Sequence, residues 1–160
     1  MHALSADVIR DSFVNVSLRE RKAIVPPDDL ADLPWQDLDY LGWRDARNPL
    51  LGYVVIPLPD GPVGVLLRQA EPPRSRAQCS WCEDTQLPND VVFFAAKRAG
   101  DAGRKGDTLG TLVCAHFECS VNVRRRAPMS YVGFDVAAAR ERRVAALREH
   151  VAAFADRVRA

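Results

Sequence analysis

Apolar residues follow a strand-like pattern through the middle of the chain. Runs rich in β-branched and aromatic side chains predict four strands, at residues 50–57, 63–68, 91–98 and 108–114. Asp60 and Gly61, between the first two runs, form a dipeptide that is typical of a hairpin turn. The glycine-rich residues 99–107, between the last two runs, predict a long and flexible hairpin loop. We therefore expect two β-hairpins in succession.

The two ends of the chain show helical spacing instead. Ile9, Phe13 and Val16 recur at helical intervals, which predicts one amphipathic helix within residues 1–25. Near the other end, Asp135 can cap a helix within residues 134–159. The apolar stripe of that helix consists of Val144, Leu147, Val151, Phe154 and Val158. The stripe predicts a face packed on the sheet, and a face for a partner's helix is the alternative.

Residues 29–45 combine proline, acidic and aromatic residues, so we predict an irregular segment there. Strands in the middle and helices at the ends are typical of an α+β fold with a mostly antiparallel sheet and flanking helices. The length of 160 residues predicts a single domain over residues 1–160. The side chains expected to anchor the irregular segment to the core are Trp35, Leu38, Tyr40, Leu41 and Trp43.

The composition, 48% hydrophobic and 27% charged, is typical of a soluble globular protein. No apolar run approaches the roughly 20 residues that a membrane span needs. The N-terminus lacks the basic and then apolar segments of a secretory signal. These features predict a cytoplasmic protein without a membrane partner, in a compartment where thiols stay reduced.

All four cysteines lie in two pairs. Cys79 and Cys82 form a C-x2-C motif, and Cys114 and Cys119 form a C-x4-C motif. A C-x2-C turn holds two thiolates at a separation that a tetrahedral zinc ion accepts. The order of knuckle, hairpin and short helix predicts a treble-clef zinc finger over residues 79–126, after a β-hairpin region at residues 26–78. The zinc would be structural, because four thiolates leave no open coordination position.

Other uses of the cysteines fit less well. A redox C-x-x-C motif requires a βαβ setting and a thiol of low pKa at a helix start, whereas the first pair here precedes a hairpin. A disulfide framework conflicts with a reducing compartment. His116 lies between Cys114 and Cys119 and could replace a cysteine as a ligand, although four cysteines already complete the site.

The sequence has none of the usual motifs of catalysis. The three histidines form no evident pair with a nucleophile, and no paired catalytic carboxylates or nucleotide fingerprint is present. The glycine-rich loop is not a P-loop, because Lys105 precedes Gly106. Residues 103–106 have the form of the G-x-x-G clamp of KH domains, which joins two helices rather than two strands. We therefore expect no enzyme and no small-molecule substrate.

Positive charge is concentrated in the second half of the chain. Residues 1–78 carry 9 basic and 11 acidic side chains, whereas residues 79–160 carry 13 and 10. The second predicted hairpin and the short helix after Cys119 would both be attached to the zinc ion. We therefore expect the cations of these two elements to form one basic patch. This patch is either a solvated face or a surface for an acidic protein or rRNA phosphates. Its members are Lys97, Arg98, Arg104, Lys105, Arg124, Arg125 and Arg126.

Several segments together resemble one protein family. They are LGWRD (41–45), VGVLLR (63–68), CSWC (79–82), AAKRAGDAGRKGDTLGT (95–111), LVC (112–114) and ECSVNVR (118–124). They resemble the C-terminal treble-clef zinc-finger domain of elongation factor G-binding proteins, the part shared with FusB-type fusidic acid resistance proteins. The resemblance covers roughly residues 10–127. The cysteine frame with its glycine-rich basic loop is the most specific element.

The resemblance implies a binding protein. Family members of the FusB type bind elongation factor G and promote its release from the ribosome, which rescues translation stalled by fusidic acid. The resemblance also implies the zinc ligands Cys79, Cys82, Cys114 and Cys119, and a binding surface of aromatic and basic side chains on the zinc finger. For that surface we predict Trp81, Lys97, Arg98, Arg104, Lys105, Arg124, Arg125 and Arg126. A small zinc protein that binds rRNA, tRNA or the ribosome is the alternative.

The sequence departs from FusB-type proteins at its N-terminal end. Those proteins also have an N-terminal helical bundle, whereas 25 residues precede Pro26 here, enough for one helix. The resemblance therefore does not extend to the bundle. A role in the ordinary turnover of the factor is as compatible with it as a role in resistance.

Overall fold

The computed structural model describes residues 1–70, 77–86, 89–125 and 133–160. One five-stranded antiparallel sheet has the strand order β1-β2-β3-β4-β5. The strands are β1 (Leu41–Arg44), β2 (Leu51–Leu58), β3 (Gly61–Gln69), β4 (Val91–Lys97) and β5 (Thr108–Cys114). The helices are α1 (Ala6–Asp11), α2 (Leu18–Ala23), α3 (Gly100–Arg104), α4 (Cys119–Arg124) and α5 (Val136–Arg159), with a 3-10 turn at Trp35–Asp37. The predicted α+β fold is confirmed.

The four predicted strands are present, and strand β1 is an addition. It lies within the segment predicted to be irregular and pairs with β2 from Leu41↔Val55 to Arg44↔Gly52. Four residues are too few to show a clear alternation, so the strand depends on its pairing partner. The five predicted anchors of the segment are all buried or half-buried, as expected.

The first hairpin turns one residue earlier than its sequence signal predicts. Leu58 pairs with Gly61, so Pro59 and Asp60 form the turn. Gly61 begins strand β3 with a φ of 126°, in the region that favours glycine. The Asp-Gly signal therefore locates the hairpin but not its register.

Two short helices replace the single N-terminal helix predicted from Ile9, Phe13 and Val16. Between them, the chain leaves the helical conformation and runs beside β3. Gly64 N donates to Ser12 O over 2.9 Å, and Val14 N donates to Gly64 O over 3.0 Å. Helix α2 then begins with a capping box, in which the side chain of Ser17 accepts from Glu20 N and the side chain of Glu20 accepts from Ser17 N.

Strands β3 and β4 pair only at Arg68↔Ala95 and Gln69↔Phe94. Beyond these pairs, the side chain of Asn15 fastens the two strands together. Its Nδ2 donates to Leu66 O and to Lys97 O, each over 3.0 Å, and its Oδ1 accepts from Leu66 N over 2.8 Å. Residues 12–15 thus lie beside β3 where β4 does not pair with it.

The sheet separates two hydrophobic clusters, because successive side chains of a strand point to opposite faces. The larger cluster lies beneath α5 and contains the four cysteines and Trp81. Four members of the α5 stripe are fully buried there and Val144 packs against them, which confirms the packing predicted for this face. The smaller cluster lies beneath the N-terminal segment, residues 1–38, and includes Ile9, Phe13, Tyr53, Val55 and Leu66.

The connection between β4 and β5 contains the one-turn helix α3, where the sequence predicts a flexible loop. Lys105 N donates to Asp101 O over 3.0 Å, and Ala99 N donates to Val158 O of α5 over 2.7 Å. Gly103 lies so close to the carbonyl of Arg98 that a Cβ atom would overlap it. This glycine therefore permits close packing of the backbone rather than flexibility.

Candidate metal centre and partner surface

Four buried cysteine sulfurs converge at one end of the β4–β5 hairpin. The Sγ atoms of Cys79 and Cys119 are 3.6 Å apart and those of Cys82 and Cys114 are 3.7 Å apart. All four lie within 4.8 Å of one another, and all are free thiols. Tetrahedral zinc with Zn–S bonds of about 2.3 Å separates its sulfurs by about 3.8 Å. The cluster therefore fits a structural zinc site, as predicted.

The first cysteine pair lies in a tight turn. Glu83 N donates to Cys79 O over 3.0 Å, and Trp81 N donates to Cys79 Sγ over 3.4 Å. Glu83 has a φ of 51°, in the left-handed region that few residues other than glycine adopt. Ser80 N donates to Leu112 O over 2.8 Å and so ties this turn to strand β5. The hairpin thereby positions both halves of the site.

The second pair spans the end of β5 and the start of α4. Phe117 makes the turn between Cys114 and Cys119 with a φ of 63°, and its N donates to Cys114 O over 2.9 Å. One turn into α4, Asn122 Nδ2 donates to Cys114 Sγ over 3.4 Å. N–H groups that point at sulfur favour the thiolate form, so Asn122 and the backbone of Trp81 help to balance the charge of four thiolates.

The clustered thiols shift one another's pKa values. Hydrogen bonds from Cys114 and Cys119 hold the pKa of Cys79 far below its usual range. Hydrogen bonds with Cys114 and Cys79, together with burial, raise the pKa of Cys119. Burial and then the nearby Cys119 raise the pKa of Tyr40, whose hydroxyl donates to Phe117 O over 3.2 Å. A bound divalent cation would allow all four sulfurs to remain ionised.

His116 lies outside the ligand cluster. Its residue is exposed, and its backbone N donates to Glu118 Oε2 over 2.9 Å. Among the described residues, the metal-ligating cluster consists of the four cysteines. His116 therefore occupies the surface beside the site and does not replace a cysteine as a ligand.

Trp81 requires a correction. We predicted that it contacts a partner, but its residue is only 2% exposed. Its ring packs between Tyr40, at a centroid distance of 5.2 Å, and Phe154 of α5, at 5.4 Å. The aromatic residue of the C-x2-C turn therefore anchors the zinc site to the core, because a large ring gains most by leaving water.

Arg124 contacts a buried carboxylate rather than facing only solvent. It forms an ion pair with Asp39, whose side chain is 0% exposed, and Arg148 Nε donates to the same carboxylate over 2.8 Å. The hydrogen bond to Asp39 raises the pKa of Arg124. Arg125 is exposed, and Arg126 lies outside the described residues. A partner contact at these arginines stays a prediction.

The predicted basic patch is divided between two ends of the hairpin. Val91 pairs with Cys114 at the zinc end, and Lys97 pairs with Thr108 at the other end. Six residues of strand separate these pairs by about 20 Å. The cations near α3 therefore lie apart from Arg124 and Arg125, although each group stays a predicted contact. Those near α3 are Lys97, Arg98, Arg104 and Lys105, all exposed except the half-buried Arg98.

Sequence reasoning missed Asp39 and Asn15 as residues that position the site and its surroundings. Asp39 accepts hydrogen bonds from α4 and α5, and Asn15 joins β3 to β4. The one available signal for Asp39 is an acidic residue between the apolar Leu38 and Tyr40. No local signal distinguishes Asn15 from a surface asparagine.

The fold and the four-cysteine site define a treble-clef zinc-finger protein. The chain belongs to the FBP C-terminal treble-clef zinc-finger family, whose sequence model matches residues 8–158.

A comparison with curated proteins found no match. Among solved structures, the fold is similar to that of the fusidic acid resistance protein FusC, with a TM-score of 0.57 and 21% sequence identity. The match covers 76% of this chain and 53% of the FusC chain, so this chain spans about half of that structure. No helix in the described part of the chain is long and apolar enough to cross a membrane.

Proposed function

We propose that this protein binds elongation factor G in the cytoplasm and promotes its release from the ribosome, in the manner of the fusidic acid resistance proteins. Family membership over residues 8–158 is the observation that carries the proposal. The fold similarity to FusC supports it. The protein would act by binding, because a zinc site closed by four thiolates leaves no position on the metal for a substrate.

The mechanism would be differential binding. A ligand shifts a conformational equilibrium only when its affinities for the two states differ. The protein therefore has to prefer a conformation of the factor that the ribosome does not hold. The β4–β5 hairpin, joined to the zinc site at one end and to α5 at Ala99 near the other, would present Lys97, Arg104 and Lys105 to an acidic surface.

The test is a pull-down of purified elongation factor G by the purified chain at moderate salt. Charge reversal of Lys97, Arg104 and Lys105 to Glu should abolish the complex, because it replaces attraction with repulsion. Arg142→Glu is a control for a single reversal of charge, since it reverses an exposed charge on α5. Absence of any complex with the unmodified chain would overturn the proposal, and an equal loss with Arg142→Glu would overturn the placement of the surface.

A second candidate function is binding to RNA or to the ribosome itself. The favouring observation is that Lys97 and Lys105 have no ion pair within the described residues, so both are available to phosphates. RNA binding would weaken steeply as salt is raised. Tight RNA binding without a complex with the factor would favour this candidate.

A further inference from the structure

Part of one sheet face, near α3, is uncovered in the described part of the chain. The pairing Arg68↔Ala95 places Phe93, Ala95 and Lys97 on the same face as Leu66, because alternate residues share a face. The N-terminal segment buries this face over β1 to β3, where Leu66 is 7% exposed. Over the part of β4 and β5 nearest α3 it does not, and Phe93 is 37% exposed, whereas Val91 towards the zinc end of the same face is buried.

The exposed ring of Phe93 lies against a glycine on the neighbouring strand. A Cβ atom at Gly110 would overlap Cζ of Phe93, so the ring leans across strand β5 above that residue. Ala95, which pairs with Gly110, is small, and Leu112, which pairs with Phe93, is half-buried. The result is a shallow aromatic shelf rather than a pocket. A shelf suits the flat face of a nucleic-acid base, whereas the anchor residues of protein partners usually fill pockets.

Positively charged side chains lie beyond this shelf, along β4 towards α3. Lys97 lies four residues from Phe93 on the same face, at a distance of about 13 Å along the strand. It also lines a groove of about 380 Å³ between the N-terminal segment and α3. Asn15, which bridges β3 and β4 where they no longer pair, is one of its lining residues. Arg98 and Arg104 line the same groove, with the polar side chain of Ser17 and the carboxylate of Glu20.

The charge of this surface fits a polyanion. Three of its cations pair with carboxylates, as Arg68–Glu20, Arg98–Asp107 and Arg104–Asp101. Lys97 and Lys105 have no such pair in the described ranges. The five cations and three carboxylates leave a net charge of +2. Phosphates spaced along a strand could therefore contact Lys97 and then the groove.

We propose that this surface binds a single-stranded nucleic acid, with one base stacked on Phe93 and the phosphates of adjacent nucleotides on Lys97 and along the groove towards Arg104. Stacking requires an unpaired base, since bases in a duplex already stack on their neighbours. This ligand is not elongation factor G, and the inference rests on the second candidate function, which it deepens by naming the surface and the single-stranded form of the nucleic acid. It therefore stands or falls independently of elongation factor G.

The test is fluorescence anisotropy of the zinc-loaded chain with a labelled oligo-uridine of about twelve nucleotides, a length in the range of single-strand sites. A thymidine DNA oligomer and an RNA duplex of mixed sequence are the comparisons. We expect the single strands to bind, RNA as well as or better than DNA, and the duplex to bind more weakly. Equal or tighter binding of the duplex would overturn the proposal.

The variants separate stacking from general effects. Phe93→Leu retains apolar bulk without a π-face and should weaken binding at least about fivefold, whereas Phe93→Tyr should retain affinity. Lys97→Gln should reduce the slope of log affinity against log salt by about 0.7, the value of one phosphate contact. The zinc content and unfolding midpoint of each variant serve as controls. Both should stay unchanged, because Phe93 and Lys97 are exposed.

One further result would overturn the proposal, namely an RNA affinity of Phe93→Leu equal to that of the unmodified chain. If that variant also loses the complex with elongation factor G, the shelf belongs to a protein partner.

Discussion

Gly52 in strand β2 lies beneath the ring of Phe117, so closely that a Cβ atom at Gly52 would stand 2.6 Å from Cζ. A Cβ atom at Gly42 in β1 would likewise stand 2.6 Å from Cβ of Phe117, at the other end of this side chain. Phe117 belongs to the turn between the last two cysteines and stacks on Phe94 at 5.5 Å. The two glycines thus form the platform on which the zinc site packs against the sheet.

Gly52→Ala should therefore destabilise the protein. The added methyl group must displace the buried ring of Phe117, and overpacking of this kind costs about 1–3 kcal/mol. Gly110→Ala is the matched control, because it also places a methyl group under a phenyl ring. That ring belongs to Phe93, which is exposed and can turn into solvent, so the change should stay within about 0.5 kcal/mol.

Urea unfolding of the two glycine variants measures the difference. Equal free energies of unfolding for Gly52→Ala and Gly110→Ala would show that Phe117 is not held in place as described.

Removal of one zinc ligand should unfold the second half of the chain. Structural zinc contributes about 10–16 kcal/mol in small fingers, which equals or exceeds the usual domain stability of about 5–15 kcal/mol. Cys82→Ser, or a strong chelator added to the unmodified chain, should abolish the cooperative thermal transition followed by circular dichroism. His116→Ser is the control and should retain its zinc, because His116 is outside the ligand cluster. A Cys82→Ser variant without zinc but with an unchanged melting profile would contradict this prediction.

The buried carboxylate of Asp39 should contribute to stability through its two arginines. Asp39→Asn removes the charge that Arg124 and Arg148 contact, and we expect a loss of about 1–3 kcal/mol in the free energy of unfolding. Asp37→Asn neutralises an exposed acid two residues away and should change stability by less than about 0.5 kcal/mol. Denaturant titration of both variants gives the comparison, and equal effects would show that the arginine contacts contribute nothing.

Much of the fold follows from patterns that are local in the sequence. The four longer strands, the α5 stripe and the order of knuckle, hairpin and helix each come from residues close together in the chain. Strand β1 and the split of the N-terminal helix do not. Both depend on hydrogen bonds to distant strands, at Val55 and at Gly64. Such bonds cannot be predicted from the residues of a short segment alone.

The candidate site divides in the same way. The spacing of Cys79, Cys82, Cys114 and Cys119 was sufficient to predict a zinc site, because ligand separation in a tight turn is set by the local backbone. The surface was harder to predict. Burial of Trp81 depends on Tyr40 and Phe154, which lie far from it in the sequence.

The sequence by itself determined the metal, its four ligands and the class of fold, because periodicity and ligand spacing act over a few residues. The tertiary structure alone decided which charges are buried and which are free to meet a partner. Asp39 meets Arg124 across 85 residues, and Asn15 meets Lys97 across 82. Such contacts form only when the whole chain has packed, since burial and pairing are properties of the assembled core and not of any segment.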